Sequence, residues 1–181
     1  MGIPTLISTQ NVTSATANVA FTSGIDGTYD EYMFVFTDYH PSSDVNLDFN
    51  LSTDGGSNYN ATKTTTFFTA QHNESDANAV LQYNSAYDFA QATSAQYLTY
   101  NGVKATNADE SAAGILHLFS PASTTYVKHF YGISSTYSAN LFEMTSFYAG
   151  YANTTSAVDA IQFDNAAGNI DNITIQMFGI K

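Results

Sequence analysis

At 181 residues the chain is long enough for one domain with a sizeable core and too short for two, so a single domain over 1–181 is expected. Sixteen acids against four bases give a formal net charge of -12, which argues against nucleic acid and anionic membrane surfaces as partners, and no run approaches the roughly 18 apolar residues of a membrane-spanning helix. The absence of cysteine excludes disulfides, thiolate catalysis and cysteine-bound zinc, while thirteen Tyr and thirteen Phe among many Thr and Val favour an all-β chain.

The opening MGIPTLISTQN has neither a basic region nor a long apolar one, so it does not read as a secretory signal, and Leu6 breaks the myristoylation pattern. Residues 1–11 are expected as an extended N-terminal arm that contains a strand from Ile3 to Thr9, followed by a strand from Thr16 to Thr22. Tyr29 to Gly56 then holds the two most legible strands. In the second, Val45, Leu47, Phe49 and Leu51 alternate with Asn46, Asp48, Asn50 and Ser52, the period of two that puts one face in the core and the other in water. In the first, Tyr32, Phe34 and Phe36 alternate with Met33 and Val35, so that both faces are apolar and both are expected to be covered. His40 to Asp44 supplies turn residues between the two, which predicts a hairpin.

Tyr59 to Ala70 is Thr-rich and reads as a strand, and Gln71 to Ala79 as a polar surface loop. From Val80 to Thr93 the spacing of Tyr83, Tyr87, Phe89 and Ala90 allows one short helix. Short strands follow at Gln96–Asn101 and Ala112–Phe119, and a longer one at Thr125–Ser134 that pairs with its predecessor. Three more, at Thr145–Thr155, Ala157–Asp164 and Asn172–Ile180, complete a set of nine to eleven. The expected architecture is a two-sheet antiparallel β-sandwich, jelly-roll-like, with at most one short helix.

Chemistry-bearing motifs are sparse. The four histidines form no HxH or HExxH pair and stand beside no nucleophile motif, so none reads as a metal ligand or catalytic base, and no cofactor is expected. Asp26, Asp30 and Glu31 cluster near a glycine turn but lack the spacing of a calcium loop and read as a solvated acidic rim. Tyr83, Tyr87, Tyr97 and Tyr100, near Asn and Gln, offer a glycan-contact surface that the absence of Trp weakens. Strands apolar on both faces suit an assembled protein better than an isolated sandwich. Ile115, His117, Phe119, Tyr126, Phe130 and Tyr131 are the expected interface residues.

The run SPASTTYVKHFYG (120–132), the segment from Phe147 to the end, and the stretches FTSGIDGTYDEYMFVF and LSTDGGSNYNATKTTTF together resemble virion structural proteins of tailed bacteriophages, notably marine and cyanobacterial ones. Part of the resemblance is a final hairpin: Ala157 to Phe163, a Gly168-Asn169 turn, and a strand closing on Met177-Phe178-Gly179-Ile180. It implies a structural role on the particle surface, after assembly in the host cytoplasm, and no enzyme. The role that fits best is a capsid decoration or cement protein, a homotrimer clamping neighbouring copies of the major capsid protein. The alternative is a tail-fibre or receptor-binding module. In seawater, where charges are screened over about 3 to 4 Å, such a protein must hold its partners by apolar contact.

Overall fold

The computed structural model describes residues 2–181. Twelve strands make up the fold: β1 (Thr5–Val12), β2 (Val19–Phe21), β3 (Glu31–Pro41), β4 (Leu47–Ser52), β5 (Lys63–Asn73), β6 (Ala79–Tyr83), β7 (Gln96–Tyr97), β8 (Ala112–Phe119), β9 (Lys128–Tyr137), β10 (Phe142–Ala152), β11 (Ala160–Asn165) and β12 (Ile170–Ile180). They form two antiparallel sheets, one of eight strands in the order β1-β12-β3-β8-β9-β10-β5-β6 and one of four in the order β2-β11-β4-β7. The all-β, two-sheet sandwich expected from the alternation is the observed architecture.

Between the sheets lies one core. Tyr32, Phe34 and Phe36 of β3, Leu116 and Leu118 of β8, and Phe130 of β9 meet Leu47, Phe49 and Leu51 of β4 and Ile161 and Phe163 of β11. The rings pack edge to face, as aromatic quadrupoles prefer: Phe49 and Phe130 lie 5.2 Å apart at 90°, and Phe21 and Phe34 lie 5.6 Å apart at 64°. Three of these rings need glycine opposite them. Gly114, Gly132 and Gly150 pair across the ladder with Phe36, Tyr148 and Phe130, and a Cβ at each glycine would come within 2.6, 2.3 and 3.0 Å of the facing ring. Each ring lies over the bare backbone of the next strand.

Three expected connections differ from the observed ones. β3 and β4 are not a hairpin, because residues 42–46 carry the chain from the large sheet to the small one. The closing hairpin is likewise absent: β11 belongs to the small sheet and β12 to the large. In both cases turn residues mark a reversal, but the core demands that it happen between layers. The third difference is the N-terminal arm, which is pinned as the edge strand β1 by its ladder to β12, from Thr5 opposite Gly179 to Val12 opposite Ile173. Met1 of that arm lies outside the described residues.

Local expectations were also revised. No helix occurs among the described residues. The stretch expected to hold one forms β6 and a loop, in which a turn closed by Tyr87 N–H donating to Asn84 O carries Tyr87 back onto the core. The expected 71–79 loop is shorter, since β5 runs on to Asn73, whose Oδ1 accepts from the N–H groups of Ala77 and Asn78 to close a tight turn. The polar face of β4 is not wet: Asp48 is 6% exposed, Asn50 8% and Ser52 0%, because the chain around 61–63 and 93–97 covers it. β3, expected to be covered on both faces, buries Tyr32, Phe34 and Phe36 fully but leaves Met33 and Val35 half-buried on the other side. β8 and β9 do pair as expected, with Ile115 opposite Ile133.

Candidate docking surface

The outer face of the large sheet is where the apolar surplus appears. Because side chains alternate, the register places Val35 (β3), Ile115 (β8), Ile133 (β9), Phe147 (β10), Phe68 (β5) and Tyr83 (β6) in one row across six strands. None faces the sandwich core. Ile133 is 41% exposed, Phe68 40% and Tyr83 55%, and Phe68 stacks on Phe147 at 4.8 Å and 10°. A parallel row two residues on reads Met33, His117, Tyr131, Ala149 and Thr66.

His117 and Tyr131 of the second row form a stack with Phe119 beside it. His117 lies 4.8 Å from Tyr131 at 18°, and Phe119 lies 5.6 Å from Tyr131 at 22°. The imidazole is oriented by Glu31, whose Oε1 is 2.5 Å from Nδ1. Two shallow grooves open on this face, one of about 440 Å³ between Phe119, His129, Tyr131 and Tyr151, the other of about 410 Å³ between Val35, Ile115, Ile133 and Thr145. Their walls are mostly carbon.

Positive charge is kept away from the face. Of the four lysines, Lys63 and Lys128 are fully buried, flanking Ala152 on the inner side of the sheet. Lys128 Nζ donates to the carbonyls of Tyr126 and Thr154 at 3.0 and 2.9 Å, and burial holds its pKa below the usual lysine value. Lys104 pairs with Asp44 at 3.8 Å, and Lys181 lies over the Tyr29 ring. Two acids, Asp48 and Glu110, are buried as well, so the solvent-facing residues keep the same net charge of -12.

Five of the six expected interface residues fall on or beside this face, and one does not. Ile115, His117, Phe119 and Tyr131 project from it, and Tyr126, 73% exposed, lies on the loop that joins β8 to β9. Phe130 points the opposite way, 2% exposed against Phe49, since adjacent residues of a strand face opposite sides. Phe147 and Phe68 of the row were missed because their strands were read without assigning either face. Alternation within β5 and β10, read together, was the available signal.

The tyrosines proposed for glycan do converge, but inward. Tyr87 lies 4.7 Å from both Tyr97 and Tyr100 and 5.3 Å from Phe67, so the rings use their faces on one another and on the core. Burial pushes the Tyr97 and Tyr100 hydroxyls upward in pKa. Tyr83 stands apart, exposed, with its hydroxyl donating to Asp88. Among the acids of the expected rim, Asp26 accepts from Thr28 N–H at 2.8 Å and from the Tyr32 hydroxyl, while Glu31 engages His117. His40 and His72 are engaged with Glu110 O and Asp76. No group of three metal-ligating side chains converges among the described residues. The chain matches no protein-family model and no curated protein.

Proposed function

We propose that this chain is a structural subunit of a phage particle, a decoration protein that docks through the outer face of its large sheet onto a further copy of itself and onto the capsid shell. The observation that carries this reading is the uninterrupted row Val35–Ile115–Ile133–Phe147–Phe68–Tyr83. A contiguous apolar face of this breadth marks an interaction surface rather than a solvent boundary. Its aromatic and β-branched make-up, poor in Lys and acids, matches the core of protein interfaces. Screened surroundings leave apolar contact as the main source of affinity. The tail-fibre alternative is weakened because Tyr87, Tyr97 and Tyr100 are spent on one another.

The test is location and assembly together. Labelled protein should distribute regularly over heads in intact particles, and the isolated chain should run as an oligomer that Ile133→Glu dissociates. Label confined to the tail tip, or a wild-type monomer that fails to bind heads, would overturn the reading.

A further inference from the structure

Lys63 and Asn50 make a contact that docking does not use. Lys63 opens β5 in the large sheet, Asn50 lies in β4 of the small one, and the two are 0% and 8% exposed. Lys63 Nζ is 2.5 Å from Asn50 Oδ1, with Ala61 O at 2.8 Å as its other partner, and it forms no ion pair among the described residues. The amide is fixed from both sides, since Nδ2 donates to Thr93 O at 2.9 Å and Oδ1 accepts from Leu51 N–H at 2.9 Å. With a carbonyl bond of about 1.2 Å, the 2.5 Å contact to Oδ1 keeps Nζ within about 3.7 Å of Cγ. On the same face of β4, two residues before Asn50, lies Asp48. It is 6% exposed, its Oδ1 has no hydrogen-bond partner, and its field acts on Lys63.

We propose that Lys63 and Asn50 condense to an isopeptide bond that staples the two sheets, with Asp48 carrying the proton. The Asp48 side chain, more than 4 Å from Nζ in the resting structure, turns to Lys63 and takes one proton from its ammonium, leaving a neutral amine with a free electron pair. The pair attacks Asn50 Cγ, the Nζ–Cγ bond forms, and charge builds on Oδ1, where the Leu51 N–H already donates. The Cγ–Nδ2 bond then breaks. Of the two hydrogens on the amine, one stays on the new amide nitrogen and one moves to Nδ2, which departs as ammonia. Asp48 hands its proton to the departing ammonia and is regenerated. No oxidant, reductant or further reactant is required.

Burial favours the reactive protonation states: it draws the Lys63 amine down to about 8 and pushes the Asp48 carboxyl up to about 7, with Asp164, opposite Asp48 in the β4–β11 ladder, raising the latter further. Two groups held in contact by a packed sandwich also react as if at very high concentration. The product is a covalent tie between layers in a protein without cysteine, closing the β4–β5 connection.

The experiment is the intact mass of the full chain under denaturing conditions, with peptide mapping. The expected result is a chain lighter than its sequence by one ammonia, with residues 50 and 63 in one branched peptide and Lys63 resistant to trypsin. Asp48→Asn and Lys63→Met should each keep the full mass. Cyclisation at Asn101-Gly102 would lose the same ammonia, so the position of the loss decides. A folded wild-type chain at full mass, or a loss mapped to Asn101, would overturn the proposal. Wild-type cross-linking in Asp48→Asn would overturn the part assigned to Asp48.

Discussion

Phe130 and Tyr131 are neighbours in β9 that belong to different parts of the protein's work: Phe130 meets Phe49 edge to face at 5.2 Å inside the sandwich, and Tyr131 stacks on His117 at 4.8 Å outside it. Stability and association should therefore separate at consecutive positions. Phe130→Ala removes a fully packed ring and should cost about 3 to 5 kcal/mol. Tyr131→Asp, half exposed, should cost under about 1 kcal/mol but abolish self-association. Denaturant midpoints and light scattering on the two variants check both halves. Equal loss of stability in the two would show that the outer face is not free.

The glycine positions give a second prediction. Gly132→Ala would drive a methyl group into the Tyr148 ring and the Ile115 carbonyl, and a Cβ there stands only 2.3 Å from each. The Tyr148 hydroxyl also donates to that same carbonyl at 3.0 Å, so the ring has little freedom to shift. Overpacking of this kind should cost about 1 to 3 kcal/mol. In a Tyr148→Ala background the same change should cost less, and chemical denaturation of the four proteins of the cycle measures that coupling.

The layers were legible in the sequence, but their connections were not. Alternation in Val45–Ser52 identified β4 and its core face, yet the same residues gave no sign that Asp48 and Asn50 would be buried, because the cover comes from residues 61–63 and 93–97, distant in the chain. Likewise His40–Asp44 announces a reversal without saying whether the chain turns within a sheet or crosses to the next. Tyr87 and Tyr100 show the same gap at the candidate site: composition near Asn and Gln suggested a wet aromatic surface, whereas a turn at Asn84 folds the rings together. The docking face was partly legible, since β8 and β9 are apolar on both sides, but its continuation onto Phe147 and Phe68 depends on strand order.

A third prediction concerns Asp38. It lies between Phe36 and Tyr39, where the β3 register shifts, and has φ 56°, a left-handed conformation that Asp tolerates better than most residues. The extra residue turns Tyr39 inward, fully buried. Asp38→Gly should be nearly neutral, while Asp38→Val should cost about 1 to 2 kcal/mol from the backbone alone. Urea midpoints measure both, and a neutral Val variant would rule out strain at the bulge.

The last prediction follows from the sign of the Asp48 shift. Desolvation raises this carboxyl from 3.8 to about 7 in the folded chain, with Asp164 adding to the rise and Lys63 opposing it. Between about pH 4 and pH 7 the folded protein thus binds a proton that the unfolded chain has released. Stability should fall as pH rises through that window, by at most about 4 kcal/mol for a shift of this size. Asp54, whose hydrogen bonds to Asn58 and Ser52 hold it at about 2, acts in the opposite sense only below that window. In a Lys63→Met background, where neither protein can form the cross-link, Asp48→Asn keeps the shape and removes the titration, so its urea midpoint should be flatter from pH 4 to 7 than that of the Lys63→Met parent and should exceed it at pH 7. A parent midpoint that climbs across this range, or a double variant with the same slope, would mean that Asp48 is not a buried acid.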